Sequence, residues 1–200
     1  MIVKQLPMGY MDNFSYLVGC EKTNKAMVID PAPPADRIIA AAGERGLTVE
    51  MIVNTHGHGD HTAGNAELSG KTGARIYIHQ RDADRYPGAD VVLEDESPLQ
   101  LGEVLVRVIH TPGHTPGGIC LYAQGNLFTG DTLFVGDSGR TDLPGGDRPT
   151  LGASIRRLMQ LPEDTVVWPG HDYGPKRSST LGWEKRNNVN AREYGYYVGE

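Results

Sequence analysis

The sequence predicts an α/β fold in which helices cover the faces of sheets. Through the first eighty residues, stretches of strand character alternate with stretches of helical spacing, in the order strand, helix, strand, histidine-rich loop, helix, strand. Further on, Val104, Val106 and Val108 alternate with Leu105, Arg107 and Ile109, a strand apolar on both faces for much of its length, as expected inside a sandwich. A chain of 200 residues buries one substantial core, and no linker is visible, so residues 1–200 are expected to form a single domain.

Taken in order, residues 2–6 and 14–18 read as strands flanking a turn over 9–13, and residues 26–29 read as a third strand that Asp30-Pro31 ends. Residues 34–45 place Ile38, Ile39 and Ala42 at helical spacing, with Pro34 in the first turn. Met51, Ile52 and Val53 form a buried strand leading into Asn54-Thr55-His56-Gly57-His58-Gly59-Asp60-His61. A helix is expected over 62–71 and a strand over 74–78, with His79 at its end as a structural or half-exposed histidine before a short polar helix. Residues 86–101 read mostly as loop, and their acidic stretch 90–96 as a solvated connection.

Residues 110–118 are rich in proline and glycine, the kind of shaped loop that carries a side chain into a site. Residues 119–123 and 127–128 form a hairpin about Gln124-Gly125-Asn126, and the second strand runs into Thr129-Gly130-Asp131. A helix over 149–161 buries Ile155, Leu158 and Met159, and a last strand over 165–168 ends in Pro169-Gly170-His171-Asp172-Tyr173. A helix over 181–192 and a packed terminal segment account for the tail, whose Tyr194, Tyr196 and Tyr197 would otherwise mark a subunit contact.

The loop at 54–61 concentrates the chemistry. In extended backbone, side chains at i and i+2 point the same way, so His56 and His58 can converge on one ion, and the next turn delivers Asp60 and His61 together. Imidazole and carboxylate suit zinc, manganese or ferrous iron, and the absence of cysteine from the cluster argues against a thiolate-type structural zinc site. Asp30 has two open readings: an acceptor for the outer nitrogen of a ligating histidine, or a turn-forming residue before proline.

Composition excludes several classes. A net charge of −6 with interspersed signs gives no support to a nucleic-acid groove or an anionic membrane surface. Cys20 and Cys120, each in an apolar run, suit two buried free thiols in a reducing compartment. Neither a secretory signal nor a membrane span is visible, so a cytoplasmic enzyme is expected.

His56, His58, Asp60 and His61 match in full the His-x-His-x-Asp-His signature of the metallo-beta-lactamase superfamily, which the chain resembles through to about residue 188. The resemblance implies a four-layered αββα sandwich with a dinuclear centre at one edge. It nominates His114 in Thr-Pro-Gly-His-Thr as the third ligand segment, leaving His110 as a wall or packed residue, and it nominates Asp131 as the carboxylate bridging two metals and His171 as the final ligand. It therefore implies His56, His58 and His114 at one metal, Asp60, His61 and His171 at the other, and Asp131 at both. Two zinc ions are expected, with ferrous iron or manganese as substitutes. The implied chemistry is hydrolysis by a metal-activated water, with Asp131 holding the ions and Asp60 helping to orient the water.

The segment 133–147 resembles the corresponding loop of short bacterial glyoxalase II-like hydrolases, which cleave glutathione thioesters, and no phosphate-loop pattern competes with that reading. The resemblance gives Arg140 and Tyr173 the role of binding the thiol carrier, while Asp142 stands where full-length glyoxalase II has an aromatic residue and its extended helical glutathione-binding domain has no counterpart. The expected substrate is thus a small-molecule thioester of glutathione or a related thiol. Gly139-Arg140-Thr141-Asp142 and Gly170-His171-Asp172-Tyr173 also resemble persulfide dioxygenases, which would use one iron at His56, His114 and Asp131. A non-catalytic metal-binding module is the alternative outside the enzymes. A beta-lactamase is disfavoured by the missing secretory segment.

Overall fold

Side-chain alternation across two sheets organises the computed structural model, which describes residues 1–9 and 11–199. Strands β1 (Ile2–Pro7), β2 (Phe14–Gly19) and β3 (Lys25–Ile29) pair antiparallel. Helix α1 (Ala35–Gly43) then returns the chain so that β4 (Thr48–Val53) lies parallel to β3. Two short helices, α2 (Gly59–Thr62) and α3 (Asn65–Thr72), lead to β5 (Arg75–His79), and a 3-10 turn over Gln80–Arg85 leads to β6 (Val91–Leu93), both strands again parallel to their neighbours. The six strands form one sheet in chain order.

The second sheet contains β7 (Pro98–Leu101), β8 (Val104–His110), β9 (Ile119–Ala123) and β10 (Asn126–Gly130), paired antiparallel. Helix α4 (Arg148–Leu158) crosses to β11 (Val166–Pro169), parallel to β10, and β12 (Ser179–Thr180) ends the sheet before α5 (Leu181–Asn187).

Three apolar clusters show how the layers stack. Phe14, Tyr16, Val18, Met27 and Val53 of the first sheet pack against Val106, Val108, Leu121 and Phe128 of the second. The outward residues Leu17, Val28, Ile52 and Ile76 meet Ile38 and Ala42 of α1 and Leu68 of α3. On the opposite side Ile109, Cys120, Leu127 and Val167 meet Leu151, Ile155 and Leu158 of α4. This is an αββα sandwich with an apolar cluster at each seam between layers, and truncating the fully buried Phe128 at the central seam would cost about 3–5 kcal/mol. No helix among the described residues is long and apolar enough to cross a membrane.

Four expectations are corrected. Strand β8 buries its inner face at Val104, Val106 and Val108 but its outer face at Ile109 alone, with Leu105 61% exposed, because the helical layer outside it reaches Ile109 but not Leu105. The helix expected over 62–71 breaks at Gly64, whose N–H donates to Pro31 O at 2.8 Å instead of continuing the ladder. Residues 86–101 hold β6 and β7, and the acidic stretch is not merely solvated: Asp90 accepts from the Ile76 N–H, and Asp95 from that of His110. The last helix stops at Asn187, and Asn188 turns extended to begin a packed segment that buries Tyr194 and Tyr196. The turn expected over 9–13 includes Tyr10, which lies outside the described residues.

Candidate metal centre

Strands β3, β4, β8, β10 and β11 all run toward one edge of the sandwich, so the loops leaving their ends meet there. Backbone links close this edge between the sheets: Phe14 N–H donates to Gly170 O at 2.8 Å, Asp172 N–H to Asp12 O at 2.9 Å and Ile119 N–H to Thr55 O at 2.8 Å. Gly130 takes a φ of 47° and passes so close to Thr55 that a side chain would collide with the threonine hydroxyl, which is why the turn into Asp131 carries glycine.

All seven residues nominated as ligands converge. His58 Nδ1 lies 3.1 Å from His56 Nε2 and 3.0 Å from His114 Nε2. Beside this trio, His61 Nε2 lies 3.1 Å from His171 Nε2 and 3.2 Å from Asp60 Oδ2. Asp131 stands between the trios: Oδ1 is 3.3 Å from His61 Nε2, and Oδ2 is 3.4 Å from His114 and 3.3 Å from His171.

The outer ring nitrogens fix the tautomers. His61 Nδ1 faces Asp30 Oδ2 at 3.0 Å, His171 Nδ1 faces Met11 O at 2.8 Å, and His114 Nδ1 faces Arg140 O at 2.7 Å. These partners only accept, so each Nδ1 carries the proton. For His56, Thr55 Oγ1 donates to Asp30 Oδ2 and so accepts from His56 Nδ1. Each of these four histidines therefore turns an Nε2 lone pair inward. Lone pairs meeting at 3.1 Å repel unless a cation or a proton lies between them. Donors about 2.0–2.1 Å from a tetrahedral ion sit about 3.3 Å apart, close to the spacings seen here. Asp131 Oδ1 is buried with no hydrogen-bond partner, which also fits a bound cation. The chemistry of the donors thus suits two divalent ions.

Electrostatics points the same way. Burial alone would raise the Asp131 carboxyl, but the neighbouring His61 and His171 hold it well below the usual carboxylate range. Burial works to lower His61, yet Asp131 and Asp30 drive it well above the ordinary imidazole value. His56 is pushed down by burial and then by His61, and His58 by burial and then by His114. The carboxylates call for positive charge at His61 that either protons or metal cations supply, whereas His56 and His58 disfavour protons and are left open to a metal.

Asp30 satisfies both of its readings. It ends β3 with a φ of 49°, as a turn residue would, and its carboxylate accepts from Thr55 N–H and from His61. Asp30, His56 and His61 could also group around an ion, but both Asp30 oxygens already accept hydrogen bonds, so Asp30 acts as the orienting partner. His79 and His110 lie outside the cluster, stacked on each other at 4.1 Å.

His58, Asp60, His114, Asp131 and His171 floor a cavity of about 530 Å³ walled by Met11, Phe134, Leu143 and Tyr173, with Asp137, Ser138 and Arg140 on one side, while His56 and His61 lie buried beneath it. Arg140 and Tyr173 do line it, but both are exposed and already engaged. Arg140 forms a two-pronged ion pair with Asp142 at 2.6 Å, and Tyr173 donates to Met11 O at 3.2 Å. The wall at 136–138 is held from behind by the tail. Glu184 accepts from Gly136 N–H, Asn188 donates to Asp137 O, and Asn190 donates to Asp137 Oδ1 and Ser138 Oγ. Sequence reasoning missed this backing, and it missed the fully buried Asp82, because neither falls in a motif with ligand spacing.

Comparison with known proteins bears on this geometry. Residues 9–171 match the family model described as the metallo-beta-lactamase superfamily. A protein named hydroxyacylglutathione hydrolase from Rhodospirillum rubrum is 43% identical over 181 residues, covering 89% of this chain and 70% of its own length. Among solved structures, ETHE1 from Myxococcus xanthus superposes with a TM-score of 0.90 at 33% identity, covering 99% of this chain and 88% of that one. TTHA1623 in a di-iron-bound form superposes with a TM-score of 0.82 at 33% identity, covering 94% of this chain and 99% of that one.

Proposed function

The chain belongs to the metallo-beta-lactamase superfamily, and from that membership and the convergent donors we propose that it is a metal-dependent hydrolase of small-molecule thioesters, with glutathione thioesters the first class to test. The observation that carries the reading is the set of inward lone pairs gathered around Asp131 at the floor of the cavity. The relatives named hydroxyacylglutathione hydrolase support the thioester. Zinc is the proposed native metal, although TTHA1623 carries two irons. Two buried free thiols suit a reducing compartment such as the cytoplasm.

In this reading His56, His58 and His114 would hold one ion, Asp60, His61 and His171 the second, and Asp131 both. Bound there, the ions would supply Lewis acidity, polarising the acyl carbonyl and making water a stronger acid. The protein's own groups do the rest. Asn13 donates to Asp60 Oδ2 at 3.2 Å and keeps that carboxylate turned toward His61. Met11, Phe134 and Leu143 shed water from the floor, which strengthens each charge interaction made there. Arg140 and Tyr173, at the rim, would receive the remote carrier; for Arg140 this means exchanging Asp142 for an anionic group of the substrate.

A second reading, iron-dependent oxygenation of a persulfide, is supported by the Gly139 to Asp142 segment and by the likeness to ETHE1. Zinc-loaded and iron-loaded protein offered S-lactoylglutathione and glutathione persulfide, with thiol release and oxygen uptake followed together, separates the two. Thiol release without oxygen uptake is expected. Oxygen uptake that requires iron and persulfide, with no thioester cleavage by either form, would overturn the hydrolase.

A further inference from the structure

Asp82 is fully buried in the 3-10 turn after β5, outside the ligand set, and it is no ordinary core carboxylate. Its Oδ2 accepts from the Gly57 N–H at 2.8 Å and from Thr115 Oγ1 at 2.7 Å, while Oδ1 accepts from the Gly117 N–H at 2.9 Å. Arg85 Nε lies 3.5 Å from Oδ1. Gly57 sits between His56 and His58, and Thr115 follows His114. One carboxylate thus ties together two loops that belong to different sheets and carry every member of the His56, His58 and His114 trio.

The approach of the two loops to the turn is close. A Cβ on Gly57 would lie 2.6 Å from Arg85 Cβ, and one on Gly117 would lie 2.6 Å from Asp82 Cβ. Glycine at both positions lets backbone N–H groups reach the carboxylate. No comparable link from Asp82 reaches Asp60, His61 or His171; those are held through Asn13, Asp30 and Met11.

We propose that Asp82 is a positioning residue for one half of the metal centre: it sets the spacing of His56 and His58 against His114, and so governs affinity at that ion and not at its neighbour. The proposal rests on the ligand assignment above. Asparagine at this position presents one acceptor oxygen where the loops need two, so its amide must face either Gly117 N–H or Gly57 N–H, a donor against a donor. The trio then spreads, and the affected ion is weakened about 10–100-fold, as when groups that orient ligands are lost.

The test is cobalt titration of the full chain after metal removal, followed by visible absorption. His58→Ala and His171→Ala provide reference spectra for loss of each ion. Asp82→Asn should bind one cobalt as the parent does and the other about 10–100-fold more weakly, with the weakened band being the one missing in His58→Ala. Should Asp82→Asn not fold, Thr115→Val removes one of the three hydrogen bonds and is expected to give a smaller loss, about 3–10-fold, in the same band. Parental affinity and spectrum at both ions, equal weakening of both, or loss of the His171→Ala band would overturn the proposal. No substrate enters the measurement, so failure to cleave thioesters would leave it standing. Reference variants that both keep the parental spectrum would remove the ligand assignment and this proposal with it.

Discussion

Tyr173 stacks on His171 with ring centroids 4.5 Å apart and planes 9° from parallel, and both residues donate to the same carbonyl, Met11 O. The tyrosine ring therefore does two things at once: it walls the cavity and it restrains an imidazole whose Nε2 faces inward. Tyr173→Phe keeps the stack and loses one hydrogen bond, so KM for a thioester should rise about 3–10-fold with the metal content unchanged. Tyr173→Ala frees the imidazole and should lower kcat as well. Steady-state kinetics beside elemental analysis checks both, and a fall in kcat alone for Tyr173→Phe would contradict a carrier-binding role.

Metal content provides a second prediction. Two equivalents per chain are expected, and their removal should lower the melting temperature, since ions that bind only the folded state stabilise it by about 2.7 kcal/mol at a hundredfold excess over Kd. His114→Ala and Asp131→Ala should each reduce turnover by at least about 100-fold, because a lost ligand shifts the reacting groups as well as occupancy. His79→Ala should still carry two ions. Loss of metal in His79→Ala with full occupancy in His114→Ala would overturn the assignment of the third ligand segment.

The Arg140–Asp142 pair predicts a specificity effect. Both side chains are more than 60% exposed, so the pair is weakly held and salt screens it. Asp142→Asn releases the guanidinium and should lower KM for an anionic thioester a few-fold at low ionic strength, with the advantage shrinking as salt is added. Arg140→Gln should raise KM for the same substrate. Indifference of KM to both substitutions and to salt would remove Arg140 from the binding of the carrier.

A pH dependence follows from His79. Burial, followed by the adjacent His110, pushes its imidazole down to about 4. Between the unfolded value of about 6.5 and about 4, the unfolded chain takes up a proton that the folded chain refuses. Its contribution to stability is complete above about 6.5 and is lost as pH falls through this window. His79→Phe retains the stack on His110 without titrating, so its urea midpoint should fall less steeply from pH 7 to pH 4.5 than that of the parent. Parallel curves for the two proteins would show that His79 contributes nothing to the slope.

Which parts of the site were legible follows from how each residue is encoded. His56, His58, Asp60 and His61 lie within six residues, and local backbone geometry is enough to bring them together. His114, Asp131 and His171 come from separate strand ends, so only a resemblance to a known pattern could nominate them. Asp30 could be read two ways because its φ of 49° and its reach to His61 depend on packing between β3 and β4. The apolar pattern of β8 misled at Leu105, since a sequence states which residues are apolar but not how far the neighbouring helix extends. Asp82 left no local signal at all: its partners are mostly backbone N–H groups, which every residue except proline possesses.

The hold of Glu184, Asn188 and Asn190 on Gly136, Asp137 and Ser138 makes the contour of the cavity a property of a distant stretch of chain. Evolution could then retune which acyl groups are admitted by editing residues 184–194, which touch neither the donor set nor the substrate. Two relatives with identical histidines and aspartates could accordingly differ in diet, and a survey of only the metal motifs would place them together.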